Sequence, residues 1–91
     1  MNTFPLIISS PDGELFRGDV VKLILRGTEG ELAVLAGHVP FVTAVKKGRC
    51  VVEEANGVRR TGLIESGLLT VDHDRTTVLT SAVNWTCQEN G

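Results

Sequence analysis

No segment of eleven or more residues keeps a 3.6-residue apolar period without a glycine or proline interrupting it. A helix needs that period to bury one stripe, so the chain has to build its core from strands. The apolar residues fall instead in short runs separated by turn signals, the spacing of a sandwich or barrel. The residue types agree. Val, Ile and Thr make up 25 of the 91 residues, against only 5 Ala. β-branched side chains pack well on a pleated surface and lose χ1 freedom in a helix. A 91-residue chain buries roughly 60–65% of its surface, enough for one core. The expected fold is all-β: one sandwich of about ten short, mostly antiparallel strands in two sheets.

The strands are placed as follows. Phe4 to Ser9 is the first, followed by a Pro11-Asp12-Gly13 turn. Glu14 to Arg17 is short. Val20 to Arg26 alternates, with Val21, Leu23 and Leu25 on one face. After the loop Gly27-Thr28-Glu29-Gly30 comes Glu31 to Leu35, with Leu32 and Val34 inward. A second loop, Ala36 to Pro40, leads into Phe41 to Val45. Asn56-Gly57 between Arg49–Ala55 and Val58–Gly62 reads as a two-residue hairpin turn with φ > 0 at both residues. That turn sets Glu54 opposite Arg59 and Glu53 opposite Arg60, two complementary pairs. Leu63 to Val71 continues as a strand interrupted at Gly67, read as a bulge. Asp72 to Arg75 turns, and Thr76 to Thr80 closes the sheet. The sandwich domain is assigned to residues 1–82. The polar tail, 83–91, is expected as a short turn of helix or an ordered flap, with Trp85 packed on the sandwich.

Charge and targeting narrow the function. The net charge of −2 and pI of about 5.6 give no basic face for nucleic acid or for a polybasic membrane anchor. The N-terminus lacks a basic n-region, and no stretch approaches the ~20 apolar residues of a membrane span. Cys50 and Cys87 are therefore read as reduced thiols, Cys50 as a small core residue.

The catalytic and metal search is nearly empty. The Gly27–Glu31 loop lacks the Gly-Lys-Ser/Thr of a phosphate cradle. No Cys-x-x-Cys or His-Glu-x-x-His supports zinc, and no elbow motif surrounds Ser66. Asp72-His73-Asp74 reads as a solvated turn, and Glu53-Glu54 and Arg59-Arg60 as sheet-face charges. His38, in a loop between strands, fits either a structural bond to a backbone carbonyl or a contact surface. No catalytic residue, metal or cofactor is expected.

One segment goes further. Gly27-Thr28-Glu29-Gly30-Glu31-Leu32-Ala33-Val34-Leu35-Ala36-Gly37-His38-Val39-Pro40-Phe41-Val42-Thr43-Ala44 resembles the signature of the epsilon subunit of F-type ATP synthases, roughly G-[ST]-E-G-E-x-G-[IV]-L-P-G-H-x-P-[LF]-[LV]-T-x-L. Ser9 to Gly18 resembles the family's opening S-P-x-G-x-x-[FY]-x-G. Ser66-Gly67-Leu68-Leu69-Thr70-Val71 is similar to G-G-F-L-E-V, and Thr77-Val78-Leu79-Thr80 to V-T-V-L-A. The likeness runs from residue 3 to about 82. Ala36 and Lys47 stand where the family has proline, Ala33 and Ser66 where it has glycine, and Thr70 where it has Glu.

The resemblance implies a ten-stranded sandwich and a non-catalytic rotor subunit that couples ion flow to ATP synthesis. It implies that Thr28, Glu29, Gly30 and Glu31 meet the c-ring. Ser10, Gly37, His38, Pro40 and Thr43 would meet the gamma subunit. The place is the cytoplasmic face of a bacterial plasma membrane, peripheral to it, or the plastid equivalent. Family members continue as a helical hairpin, and the residues after the last expected strand are too few for one, so a short form or a fragment is expected. The alternatives are a small β-barrel ligand- or protein-binding module, which the scarcity of aromatics disfavours, and a hydrolase using Ser66.

Overall fold

The structure is a computed structural model and describes residues 2–90. Met1 and Gly91, the ends of the two expected segments, lie outside the described residues. Among those described there are nine strands and no helix: β1 Phe4–Ser10, β2 Gly13–Gly27, β3 Gly30–Leu35, β4 Phe41–Val45, β5 Gly48–Glu54, β6 Val58–Ile64, β7 Gly67–Val71, β8 Thr76–Thr80 and β9 Val83–Asn90. The hydrogen-bonded order is β4-β7-β8-β1-β2-β5-β6-β9, with β3 also on β2. All neighbours are antiparallel except β1 and β8.

Strand β2 makes two layers out of one path. Its first half, Gly13 to Val20, pairs with β1. Its second half pairs with β3 through Lys22–Gly27 and with β5 through Val20–Ile24. The register shifts between Val20 and Lys22, so Val21 is the extra residue of a bulge. A bulge bends its strand and increases local twist, which carries β2 from one layer to the other. The two strands expected over Glu14–Arg17 and Val20–Arg26 are thus one 15-residue strand, and the count falls below ten. The bulge also corrects the facing. Val20, not Val21, joins Leu23 and Leu25 in the core.

Both layers turn one face inward. Leu6, Ile8, Val20, Leu23, Leu25, Val34, Cys50, Val52, Ile64, Leu69 and Val78 are fully buried in one cluster, with Val45 and Val71 nearly so. These are the alternate residues of their strands, as a half-buried strand requires. Burial has a chemical consequence at Cys50, whose thiol is pushed from 9.0 up to about 12 by desolvation. Cys87 is exposed, and both thiols are free. One thiol per folded chain is therefore expected to react with a disulfide reagent at pH 8, and the second only in denaturant. Two fast thiols in the folded protein would contradict this packing. The unfolded thiol ionises above pH 9 while the folded one does not, so stability falls as pH rises from about 9 towards 12.

The β5–β6 hairpin differs from its expected form by one residue. Glu53 pairs with Arg59 and Val52 with Arg60. The Gly57 N–H donates to the Glu54 carbonyl at 3.0 Å, which centres the turn on Ala55-Asn56. Gly57 has φ +91° and no non-glycine residue has positive φ. This is a type I turn followed by a left-handed glycine, the usual three-residue hairpin. A one-residue slip exchanges the faces. Glu54 and Arg60 consequently turn inward and pair at 2.5 Å, with side chains 15% and 31% exposed.

Residues 83–90 are neither helix nor flap. Val83 to Asn90 form β9, antiparallel to β6, with a register shift between Thr61 and Gly62. Trp85 packs edge-on to Phe16 at 6.1 Å, and the Arg60 guanidinium lies 5.9 Å above the Phe16 ring. A polar strand is tolerated here because only its alternate side chains, Val83 and Trp85, reach the core.

Candidate functional site

Gly27 and Gly30 face each other at the end of the β2–β3 ladder, leaving Thr28-Glu29 as the tip. Gly30 has φ +122°, a conformation that L side chains rarely adopt. Thr28, Glu29, Gly30 and Glu31 are all exposed. Glu31 is not free: its carboxylate accepts from Arg49 Nη2 at 2.9 Å, both side chains being about half exposed, and Arg26 stands directly opposite it on β2. No ion pair holds Glu29 among the described residues, so the tip offers one unpaired carboxylate.

The Ala36–Pro40 loop lies at the other end of β3, about 20 Å away at the rise of an extended strand. Gly37 has φ +86°. His38 Nδ1 lies 2.9 Å from the Leu35 nitrogen and 2.7 Å from its carbonyl oxygen. The Leu35 main chain therefore occupies Nδ1 and leaves Nε2 as the free ring nitrogen. The ring tilts against Phe41 at 6.1 Å. Val39 is 75% exposed, and Pro40 is also exposed. The loop forms one wall of a cavity of about 330 Å³ whose other walls are Thr3–Pro5 and the β7–β8 turn.

The five residues expected at the gamma contact do not line one cavity. Gly37, His38 and Pro40 share this cavity. Thr43 lines a groove with Thr28 to Glu31 instead. Ser10 is at the far end of β1 from Pro5, and its hydroxyl closes its own turn, accepting from the Asp12 N–H and donating to the Gly13 carbonyl, both at 3.2 Å. Conversely, His73 and Arg75 line the His38 cavity, although spacing gave no reason to join positions 38 and 73.

The outer faces of the two layers differ. On the β3-β2-β5-β6 layer, Val51 is fully buried outside the core cluster, between Ile24 of β2 and Thr61 of β6. On the β4-β7-β8-β1 layer, Ala44, Leu68, Leu79 and Ser9 follow one another across the sheet. There Leu68, Leu79 and Val42 are 40%, 50% and 61% exposed. Adjacent exposed apolar side chains mark interaction surfaces.

Among the described residues, Ser66 and His73 are not brought together for nucleophilic chemistry. Ser66 lies beyond one end of the five-residue β7 and His73 beyond the other, about 17 Å apart along that strand. Among the described residues no group of three or more His, Cys, Asp or Glu is placed to hold a metal.

Comparison with known proteins fits this arrangement. Residues 3–86 match the family described as ATP synthase, Delta/Epsilon chain, beta-sandwich domain. The sodium ion specific ATP synthase epsilon chain of Acetobacterium woodii is 37% identical over 83 residues, covering 91% of this chain and 62% of that protein. The ATP synthase epsilon chain of Wolbachia pipientis wMel is 35% identical, covering 91% of this chain and 73% of its own length. The chain thus spans only part of these relatives. A chain in the OSCP/F1/c-ring structure of the Euglena gracilis mitochondrial ATP synthase superposes with a TM-score of 0.84 at 25% identity, covering 91% of this chain and 53% of that one. A chain of the Tetrahymena thermophila mitochondrial central stalk/c-ring shares the fold, with a TM-score of 0.72. With the matched region running through all but a few residues of the sandwich, the chain belongs to the family of ATP synthase delta/epsilon chain β-sandwich domains.

Proposed function

We propose that this chain is a non-catalytic central-stalk subunit of an F-type ATP synthase, bridging the gamma subunit and the c-ring. The observation that carries this is the likeness along 91% of the chain to a component of an F1/c-ring assembly. Two surfaces at opposite ends of β3 support a bridging role. The acidic tip, Thr28 to Glu31 with Thr43 beside it, is assigned to the c-ring, where its unpaired Glu29 suits a basic side chain. Such pairs fix register more than they add affinity. The Gly37-His38-Val39-Pro40 loop is assigned to gamma. Ser10 is left out of that contact, because its hydroxyl is engaged in its own turn. The mechanism is mechanical: a stiff sandwich passes torque between partners while the chemistry occurs elsewhere. The subunit is peripheral to the membrane through its complex, on the cytoplasmic face in a bacterium.

The test is co-elution of this chain with its own gamma subunit on size exclusion, with His38→Glu as control. A 1:1 complex is expected for the wild type, and its loss for the variant, which places a carboxylate on an exposed apolar loop. A folded wild-type chain that does not bind gamma would overturn the reading.

A further inference from the structure

We propose that the β7–β8 turn is a second half of the gamma-docking surface, and that the cavity between it and the His38 loop receives an acidic side chain of that partner. The inference rests on the central-stalk reading above and adds residues to it.

The argument begins with the cavity walls. They come from three segments far apart in sequence, and they bring both histidines of the chain, His38 and His73, together with Arg75. The Nδ1 of His38 is held by the Leu35 main chain, so Nε2 is the nitrogen left for a partner. With Nδ1 accepting from the Leu35 N–H, the ring carries its proton on Nε2 and donates from that atom. Arg75 donates through a fixed fork suited to a carboxylate. Its own carbonyl accepts from the Asp72 N–H at 2.9 Å, which closes the turn and holds His73 and Arg75 on a fixed frame. Asp72 is the single acidic side chain in the lining. Two imidazoles and a guanidinium against one carboxylate give the lining more hydrogen-bond donors than that carboxylate can use, which suits an incoming carboxylate.

The rest of the lining fits a protein rather than a small molecule. Val39 and Pro40 are exposed beside the charged groups, giving the apolar shoulder and polar pocket of a protein contact. His73 and Arg75 are exposed and form no ion pair among the described residues. Replacing them therefore changes the surface and leaves the core untouched.

The experiment titrates gamma against this chain, comparing wild type with Arg75→Glu, Arg75→Lys and His73→Ala, and with Arg59→Glu as a control. Arg59 is exposed on β6, in the other layer. Thermal melts confirm that each variant folds. Arg75→Glu is expected to weaken binding at least tenfold and His73→Ala severalfold. Arg75→Lys, which keeps the charge and loses the fork, should fall between wild type and Arg75→Glu, and Arg59→Glu should match wild type. A gamma variant with one acidic residue changed to lysine should restore binding to Arg75→Glu and so identify the side chain that enters. If the wild type binds and Arg75→Glu binds equally well, the inference is overturned while the central-stalk reading stands. If the wild type itself does not bind, both fall.

Discussion

Gly67→Ala is expected to cost about 3 kcal/mol, the upper end for overpacking, and to lower Tm by about 12–24 °C for a domain of this size. A Cβ at this position would sit 1.9 Å from the Leu79 carbonyl oxygen and 2.9 Å from its carbon. Both obstacles are backbone, in the strand that Gly67 pairs with through Thr80, so no side chain can rotate away. The cause is close approach rather than a special dihedral, because the φ of Gly67 is not positive. The sequence pattern allowed a bulge at Gly67. The β7–β8 register is unbroken, and the glycine is needed because two backbones meet there. A thermal melt and a denaturant titration of the variant test this. A loss below 1 kcal/mol would show that the strands separate easily at that point.

Ile8→Ala should cost about 2–5 kcal/mol, whereas Leu79→Ala on the neighbouring strand should stay within about 0.5 kcal/mol. Ile8 is fully buried between Phe16 of β2 and Val78 of β8. Its removal leaves a cavity that the two-layer core cannot collapse to fill. Leu79 is half exposed on the outer face of the same layer, so truncation removes little packing in the free chain. Paired urea titrations of the two variants give the comparison directly. Equal losses would mean that the outer face is covered in the isolated protein.

The all-β class was legible because it depends on local features. Alternating apolar residues bounded by glycine and proline admit few other structures, and Leu23, Leu25 and Val34 were placed inward by alternation alone. Turns were legible as positions but not as types. Asn56-Gly57 satisfies both a two-residue turn and a type I turn with a left-handed glycine, and the two differ in register by one. The choice depends on whether Glu54 and Arg60 gain more by facing Phe16 and Gln88 than by facing solvent. Arg60 does reach both, bonding Gln88 at 3.0 Å, and no local pattern contains that information. Strand β9 was missed for the same reason. Its polar residues lack a strand signature, and it forms because β6 offers an open edge.

The candidate site divides in the same way. Glycines at 27, 30 and 37 mark two exposed loops, and the run from Gly27 to Ala44 carries the family likeness in consecutive residues. Grouping those residues into surfaces required the fold. Extended strands place their ends about 20 Å apart, so Ser10 and His38 separate although both flank β1. His38 and Arg75 meet because β8 begins on the side of the sandwich where β3 ends. Composition and periodicity thus determine which residues face inward, since each strand obeys its own alternation. Which loops become neighbours follows from the bulge in β2 and the parallel pairing of β1 with β8, contacts between segments too distant in the chain for any local pattern to encode.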